Sequence, residues 1–517
     1  MEPGSGSDVV GSAHARLHRT AGVCQGVGAG ARGGHGLISE VVLHPIPSER
    51  RKSWLDRILS LAADVRAGEG AVALLLAANV FALLAFYYVL KTVRESLILS
   101  EGGAEVKSYA AAGQALLLLA FVPAYGAVAS RVNRVRLISG VTLFFASHLV
   151  IFYLLGAAGV LVGVPFFLWI GIFNLVVIAQ FWAFANDVYD TERGKRLFPI
   201  VGVGSALGAW VGAELASLLF GRVGPYQLML VCAAGLTACV FLTRWTDRRE
   251  RASAPQGPNR LRQGRVAPRP DEPAGAPKLD TKAETPGTPA EAPMGKAGGF
   301  QLVLRQRYLL LIGLLVLVLN TVNTVGEYIL GRLVVDEAAA KIASGAAGGL
   351  SEEALIGQFY GEFFGWVNLL GLLFQFFLVS RLFKWIGVRG TLFVLPVVAT
   401  FSYGLLAAVP LLAVVSVAKV LENGSDYSIN NTAKHALFLP TSREAKYKAK
   451  QAIDSFFWRA GDMLQALIVL VGVQMALGIR GFAVINLVFV AVWIILVLGI
   501  VAEHKKLTAL EAAQRAA

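Results

Sequence analysis

Charge is scarce in this chain: only 16% of its 517 residues are Asp, Glu, Lys or Arg, against roughly a quarter in an ordinary soluble domain. A soluble protein of this length needs far more polar surface. Hydrophobic residues make up 56%, and mean hydropathy is +0.61. These values exclude a disordered chain, a coiled coil and a typical cytosolic enzyme, and point to a polytopic membrane protein. Cysteine is nearly missing. Cys24, Cys232 and Cys239 are too few for a disulfide framework and lack metal-ligand spacing, so small buried hydrophobes are expected. No cleavable signal peptide is expected, because the first 50 residues hold no apolar core of the needed length.

Catalytic signatures are missing as well. Lys195 and Lys296 follow glycines but lack the rest of a phosphate-cradling Gly-x-x-x-x-Gly-Lys-Ser/Thr loop. Gly28, Gly30 and Gly33 match a dinucleotide fingerprint, but no strand precedes them and no helix follows. There is no zinc-helix motif and no nucleophile elbow. No enzyme and no cofactor are therefore expected, and any transport is driven by a gradient or by exchange.

What is present is a succession of apolar runs. Residues 1–52 read as a disordered Gly/Ser/Arg-rich tail. Over 53–66, Trp54, Leu55, Ile58, Leu61, Ala62 and Val65 recur at helical spacing, with Asp56, Arg57, Ser60, Asp64 and Arg66 opposite. This predicts an amphipathic helix on the membrane surface. Six runs of roughly 20 residues, enough to cross a bilayer, follow within an N-terminal half at 67–243. Nine prolines from Pro255 to Pro293 mark a flexible basic linker over 244–300. Six more runs fill a C-terminal half at 301–503, before a short tail at 504–517. The expected fold is an all-α membrane protein of twelve spans in two six-helix halves, a parallel repeat of the major facilitator type.

Loop charges orient it. Arg131, Arg134 and Arg136, then Arg193, Lys195 and Arg196, then Arg381, Lys384 and Arg389, then Lys446, Lys448 and Lys450, and lastly His504, Lys505 and Lys506 place basic residues in every second loop. The alternate loops are nearly uncharged or acidic, as with Asp336, Glu337, Glu352 and Glu353. The positive-inside rule puts both termini in the cytoplasm. A formal net charge of +13 is thereby mostly topological, probed by anionic lipid rather than nucleic acid, since no stacking aromatic surface accompanies it.

Ionisable groups within spans are the informative residues, because each costs roughly 2.5–3.5 kcal/mol at a helix centre on insertion scales. Lys91, Arg94 and Glu95 share a helical face and are read as one ion-pair network lining a cavity. Snorkelling at the outer interface is the rival. Asn186, Asp187 and Asp190 lead into the basic loop of Arg193, Lys195 and Arg196, whose plain reading is solvated loop; Asn186 and Asp187, nearer the membrane, are the ones placed to line a cavity. Asn320, Asn323 and Glu327 form one polar stripe at i, i+3, i+7, whose rival role is structural interhelix hydrogen bonding. The richest cluster holds Lys419, Glu422, Asn423, Asp426, Asn430, Asn431 and Lys434, then Lys446, Lys448, Lys450, Asp454, Arg459 and Asp462. Within it, Lys419–Glu422 and Arg459–Asp462 read equally well as plain internal ion pairs. Gly204, Gly208 and Gly212 are small-xxx-small steps for close helix packing. Fixed cations with some carboxylates and no ATPase motif suit a small, multiply anionic solute.

At these residues the chain resembles the ATP/ADP translocase family of plastids and intracellular bacteria. The resemblance covers roughly 70–502. It rests on Tyr88-Val89-Leu90-Lys91-Thr92-Val93-Arg94-Glu95-Ser96-Leu97, Phe181-Trp182-Ala183-Phe184-Ala185-Asn186, Asn430-Asn431-Thr432-Ala433-Lys434-His435-Ala436-Leu437-Phe438-Leu439-Pro440, and Lys448-Ala449-Lys450-Gln451-Ala452-Ile453-Asp454. It implies a nucleotide antiporter of the ATP:ADP type in the bacterial inner membrane, expected as a monomer. It implies Arg94 as the nucleotide-binding base of the first span with Glu95 beside it, Glu327 as the glutamate of the seventh span, and Lys448 or Lys450 as the lysine before the eleventh. In one place the chain departs from the family. Where the family has a functional glutamate, this sequence reads Trp169-Ile170-Gly171-Ile172-Phe173-Asn174, without an acid. Two other readings stay open: a carrier of another organic anion or phosphate compound, and a non-transporting membrane scaffold or sensor.

Overall fold

The computed structural model describes residues 52–60, 63–129, 132–189, 191–253 and 298–516. Nearly all of the expected tail, the linker from 254 to 297, and Cys24, Arg131 and Asp190 lie outside these residues. Among the described residues the structure is entirely helical, and ten helical stretches are long and apolar enough to cross a membrane. In hydrocarbon only a helix or a closed barrel satisfies every backbone polar group, which is why Leu-, Val- and Ala-rich runs without a polar edge take this form.

Helix α1, Trp54–Leu59, is shorter than the 53–66 helix the periodicity predicts. Ser53 and Asp56 form a capping box at its start. Asp56 is not on a solvent face. It is buried, and its carboxylate accepts from the Gly68 and Gly70 N–H groups at 3.0 and 2.9 Å, turning the chain into the next helix.

Helix α2, Gly70–Ala129, is continuous except at Gly103, where φ 71° and ψ −176° break it. Only glycine takes that backbone readily. The break is a reversal: Lys107 Nζ lies 2.6 Å from Glu95, whereas 12 residues of straight helix would separate them by about 18 Å. The first arm thus continues as helix to the break at Gly103, and Lys91, Arg94 and Glu95 lie inside it. Charged residues interrupt hydropathy there without interrupting the helix.

Four further stretches complete the first half. They are α3 Arg134–Ala157, α4 Gly163–Phe173 continuing through a π-helical turn at Asn174–Ile178 into α5 Ala179–Val188, α6 Thr191–Val223, and α7 Pro225–Ser253. Glu101 caps α4, accepting from the Gly163 N–H at 2.6 Å. Helix α7 extends past the expected linker boundary at 243. The second half opens with α8 Gly299–Arg305 and α9 Arg307–Ala343. Then come α10 Glu352–Leu373, α11 Val379–Trp385, α12 Gly387–Thr391 and α13 Val394–Ala408. Helices α14 Leu412–Ser425 and α15 Asn431–Ala436 follow, joined by a π-helical turn at Asp426–Asn430. The last are α16 Lys450–Ala452 between π-helical turns at Ala445–Ala449 and Ile453–Phe457, α17 Trp458–Gln474 and α18 Ile479–Ala516.

Two hydrophobic cores result. One is built wholly from Val65 to Cys239; the other spans Leu302 to Ile500 and admits a few first-half residues, among them Tyr88, Leu99 and Ala209. Cys232 and Cys239 are buried thiols in the first. Gly204, Gly208 and Gly212 do what their spacing predicts: a Cβ on each would strike the carbonyl oxygens of Ala77, Phe81 and Ala85 on α2. At the basic-loop end Glu69 joins α2 to α6. It accepts from Arg193 at 3.2 Å and from Arg196 at 3.0 Å, while Arg193 also pairs with Glu250 of α7 at 3.1 Å. Burial pushes the Glu69 carboxyl up, but the hydrogen bonds from Arg196, the Arg66 N–H and Arg193 outweigh it and hold the group below the ordinary glutamate range.

Two outcomes are expected. Gly208→Val should lower stability by about 1–3 kcal/mol through overpacking, read as a lower thermal midpoint in detergent; an unchanged midpoint means α2 and α6 are not closely packed. Glu69→Gln should lower the midpoint at neutral pH. A folded-state pKa below the unfolded one gives a contribution complete above the unfolded value and lost as pH falls through the folded one. The gap between variant and wild type should therefore close on acidification below the ordinary glutamate range.

Candidate functional site: an ion-paired cavity between the halves

The polar residues of α2, α9 and α14 converge on one cavity of about 190 Å³ between the two halves, lined by Lys91, Arg94, Glu95, Lys107, Asn323, Glu327, Tyr427 and their neighbours. Its centre is a row of alternating charges. Arg94 pairs with Glu95 on α2, donating through Nε at 3.0 Å. Lys107, on the second arm of α2, stands 2.6 Å from Glu95 and 4.0 Å from Glu327 of α9. Glu327 lies 3.7 Å from Lys419 of α14, and Lys419 lies 3.3 Å from Glu422. Neutral groups complete the row. Asn423 donates to Glu327 at 3.0 Å, and Lys419 donates to Asn323 Oδ1 at 2.7 Å. Tyr403 donates to Glu422 at 3.1 Å.

Lys419 is 2% exposed. Two carboxylates and the Asn323 amide oxygen surround its ammonium, the pairing that a buried cation requires. With Lys91 included, four cations face three carboxylates, and the site holds one positive charge in excess.

Lys91 does not join the ion pairs as its i, i+4 spacing to Glu95 predicts. Its ammonium lies 3.9 Å from the centroid of the Phe364 ring and 5.1 Å from that of Tyr88. Glu95 is occupied by Arg94 and Lys107 instead. A cation held by rings keeps its hydrogen-bonding capacity for a ligand. Arg94 lies over the Phe167 ring at 4.8 Å.

Tyr427 also lines a second cavity of about 390 Å³, nearer the basic-loop end, with Asp426, Asn431, Lys434, His435, Lys450, Asp454 and Trp458. Lys434 stands 3.8 Å from Asp426 and over the Trp458 ring at 5.2 Å. Lys450 pairs with Asp454. Both belong in turn to a cleft of about 600 Å³ with Lys446, Tyr447 and Arg459, whose opposite wall is Leu118, Leu119, Val122 and Leu175. Lys448 lines neither space, so of the two lysines before the eleventh span it is Lys450 that meets the cavity.

Across the halves, closure lies at the acidic-loop end. Ser96 donates to the Glu353 carbonyl at 2.6 Å, Tyr328 to Glu105 at 3.0 Å, and Arg332 stands 3.6 Å from Glu105. Gly357 and Gly361 admit Phe220 and Ser217 without room for a side chain. The cation-lined spaces therefore lead toward the basic-loop end.

Two expected site residues are elsewhere. Asn186 and Asp187 are exposed. Asp187 pairs with Arg134 in a separate depression with Arg193, Asp247 and Glu250. The helix end that carries them is set by Tyr189, which leaves helical backbone, so they remain on the loop side. The polar stripe is confirmed in part as structural: Asn320 donates to Asp462 at 2.7 Å and to the Trp458 carbonyl at 2.8 Å, while Asn323 and Glu327 face the cavity. Lys107 escapes the sequence reading because it falls in the short stretch between two apolar runs. At the position of the missing acid, Trp169 and Phe173 are stacked with ring centroids 5.7 Å apart, and Phe145 and Phe152 pack edge-on against Trp169.

Comparison with known proteins agrees with this architecture. Residues 386–504 match the model of the TLC ATP/ADP transporter family. An ADP,ATP carrier protein 1 of Chlamydia pneumoniae is 24% identical over 361 residues, covering 62% of this chain and 63% of its own. Its counterpart in Chlamydia trachomatis serovar D is 23% identical over 336 residues, covering 58% and 57%. The chain thus spans under two thirds of the length of these relatives. Among solved structures, the nucleoside transporter NupG superposes with a TM-score of 0.54 at 14% identity, covering 83% of this chain and 98% of its own. A bacterial homologue of the iron transporter ferroportin, in an inward-facing state, does so with 0.54 at 10% identity, covering 83% and 98%. At such identities the structures speak for the fold alone. Together with the ten apolar helices, these likenesses describe an integral membrane protein with the fold of these solved transporters, whose residues 386–504 are similar to the TLC ATP/ADP transporter family.

Proposed function

We propose that the protein is a secondary nucleotide carrier that exchanges ATP and ADP by alternating access. The observation that carries this is the row of cations leading from Lys446 and Lys450, past Lys434, to Lys91, Arg94 and Lys107 beneath the sealed end. A polyphosphate needs several fixed donors in a water-poor site, and Arg and Lys supply them. Arg94, Lys434 and Lys450 contact phosphate oxygens; Glu95 and Glu327 neutralise these cations when the site is empty. Counting α2 as two spans across Gly103, and the charged α14–α15 segment as one, gives twelve spans in two halves. Both termini are cytoplasmic, the state is inward-open, and the membrane is the bacterial inner membrane. Anionic lipid lies against the basic loops.

A second reading has its own observation. The aromatic stack at Trp169 and Phe173 occupies the place of the family's glutamate, which favours another organic phosphate as substrate. Competition by a panel of unlabelled solutes separates the two: ATP and ADP should compete best.

Arg94→Ala should abolish exchange in proteoliposomes and remove thermal stabilisation by nucleotide. Ligand at 100 times its dissociation constant otherwise adds about 2.7 kcal/mol of apparent stability. The unliganded variant should still unfold cooperatively, since Glu95 retains Lys107. Exchange at the wild-type rate would overturn the site assignment.

A further inference from the structure

We propose that Lys107 is a phosphate-binding residue that ties the two halves together, and that an anionic substrate undoes this tie by displacing Glu327. The inference rests on the nucleotide-carrier reading above. Among the cations of the central row, Lys107 is the one that stands within 4.0 Å of carboxylates from both halves. Arg94 reaches Glu95, within the first half; Lys419 reaches Glu327 and Glu422, within the second. Lys107 lines the same cavity wall as Lys91 and Arg94. It is therefore placed to take part of any anion they bind.

Its two carboxylate partners are unequal. Glu95 is 2.6 Å away, fully buried, and held from its own helix by Arg94. Glu327 is 4.0 Å away, with a side chain 21% exposed to the cavity. It has other company, with Asn423 at 3.0 Å and Lys419 at 3.7 Å. An incoming phosphate cannot share Lys107 with both carboxylates, because like charges at contact repel. Glu327 gives way, since it leaves Lys107 without becoming an unpaired buried charge.

Releasing Glu327 has a consequence for the sealed end. The remaining ion pair across the halves there, Arg332 with Glu105, has side chains 38% and 33% exposed. Such pairs are screened and weak, whereas Lys107 is 12% exposed. The buried Lys107–Glu327 contact thus adds to the hydrogen bonds and packing that hold the empty carrier shut, and the substrate removes that increment. Occupied protein opens outward more readily than empty protein, and transport becomes exchange.

The test uses full-length protein in proteoliposomes with labelled ATP outside, and either ADP or no nucleotide inside. Lys107→Gln should raise KM for ATP roughly tenfold or more, as expected for one lost charge-assisted hydrogen bond. Lys107→Arg should recover part of that loss, which a merely structural role would not require. Glu327→Gln removes the tie but keeps Lys107, so uptake into vesicles without internal nucleotide should rise above that of wild type. A wild-type KM in Lys107→Gln overturns the inference. So does a Glu327→Gln variant as dependent on internal nucleotide as wild type. Should Lys107→Gln fail to fold, Lys107→Arg and Glu327→Gln decide the matter. If wild-type protein is neither stabilised by ATP nor able to exchange it, the carrier reading fails and this inference with it. If wild type exchanges and the variants match it, only this inference fails.

Discussion

A charge buried without a partner is among the costliest features a protein can contain; stripping one member from a buried pair costs about 3–5 kcal/mol. The row Arg94–Glu95–Lys107–Glu327–Lys419–Glu422 meets that constraint by sharing. Glu95 has two cations, Glu327 has two, and Lys419 has two carboxylates. Three helices contribute to it, so it can form only where α2, α9 and α14 meet. Sharing also makes the row divisible. A group with two partners survives the loss of one, which is what a site that must accept and release a charged ligand requires.

The position of the row explains the rest of the architecture. It lies beneath the acidic-loop closure, and the cation-lined spaces extend from it toward the basic-loop end. Lysines there do two jobs with one charge. They fit the positive-inside rule, and Lys450 and Lys434 line the second cavity, which the proposed reading makes part of the ligand path. Positive potential at the mouth of a low-dielectric cleft concentrates anions before they bind. The excess of +13 is thus continuous with the single excess charge at the cavity, although most of it lies in loops.

The sequence made much of this legible, and the failures share a cause. Two halves, the close-packing glycines and the Asn320–Asn323–Glu327 stripe all follow from periodicity or composition, which report on a helix and its immediate neighbour. Lys107 and the fate of Lys91 do not. They depend on the reversal at Gly103, which brings residues 12 apart in sequence to within an ion-pair distance. Hydropathy treats a charge as the end of a span, so Lys107 falls between two apolar runs, and the first cluster, although read as lining a cavity, keeps an interfacial rival. The same logic extended the polar face of α1 to Asp56, which is a buried cap. Asn186 and Asp187 lie outside the central cavity for the opposite reason: they are close to a span, but their helix ends on the loop side.

Helical periodicity also fails inside the second half, and for a geometric reason. A π-helical turn adds one residue, so everything after it is rotated by about 100° relative to an uninterrupted α-helix. Such turns occur at Asp426–Asn430, Ala445–Ala449 and Ile453–Phe457. The first lies between Lys419, which faces the central row, and Lys434, which faces the second cavity. The second two flank Lys450, which alone of the two nearest lysines reaches the path. A face assigned at 3.6 residues per turn across these segments is wrong by about one residue at each. Irregular turns of this kind waste backbone hydrogen-bond geometry, so they persist where re-aiming a side chain matters. Two further turns of this kind, at Asn174–Ile178 and Phe374–Leu378, lie away from these lysines, so it is the re-aimed Lys434 and Lys450, and not the turns themselves, that bear on the proposed ligand path.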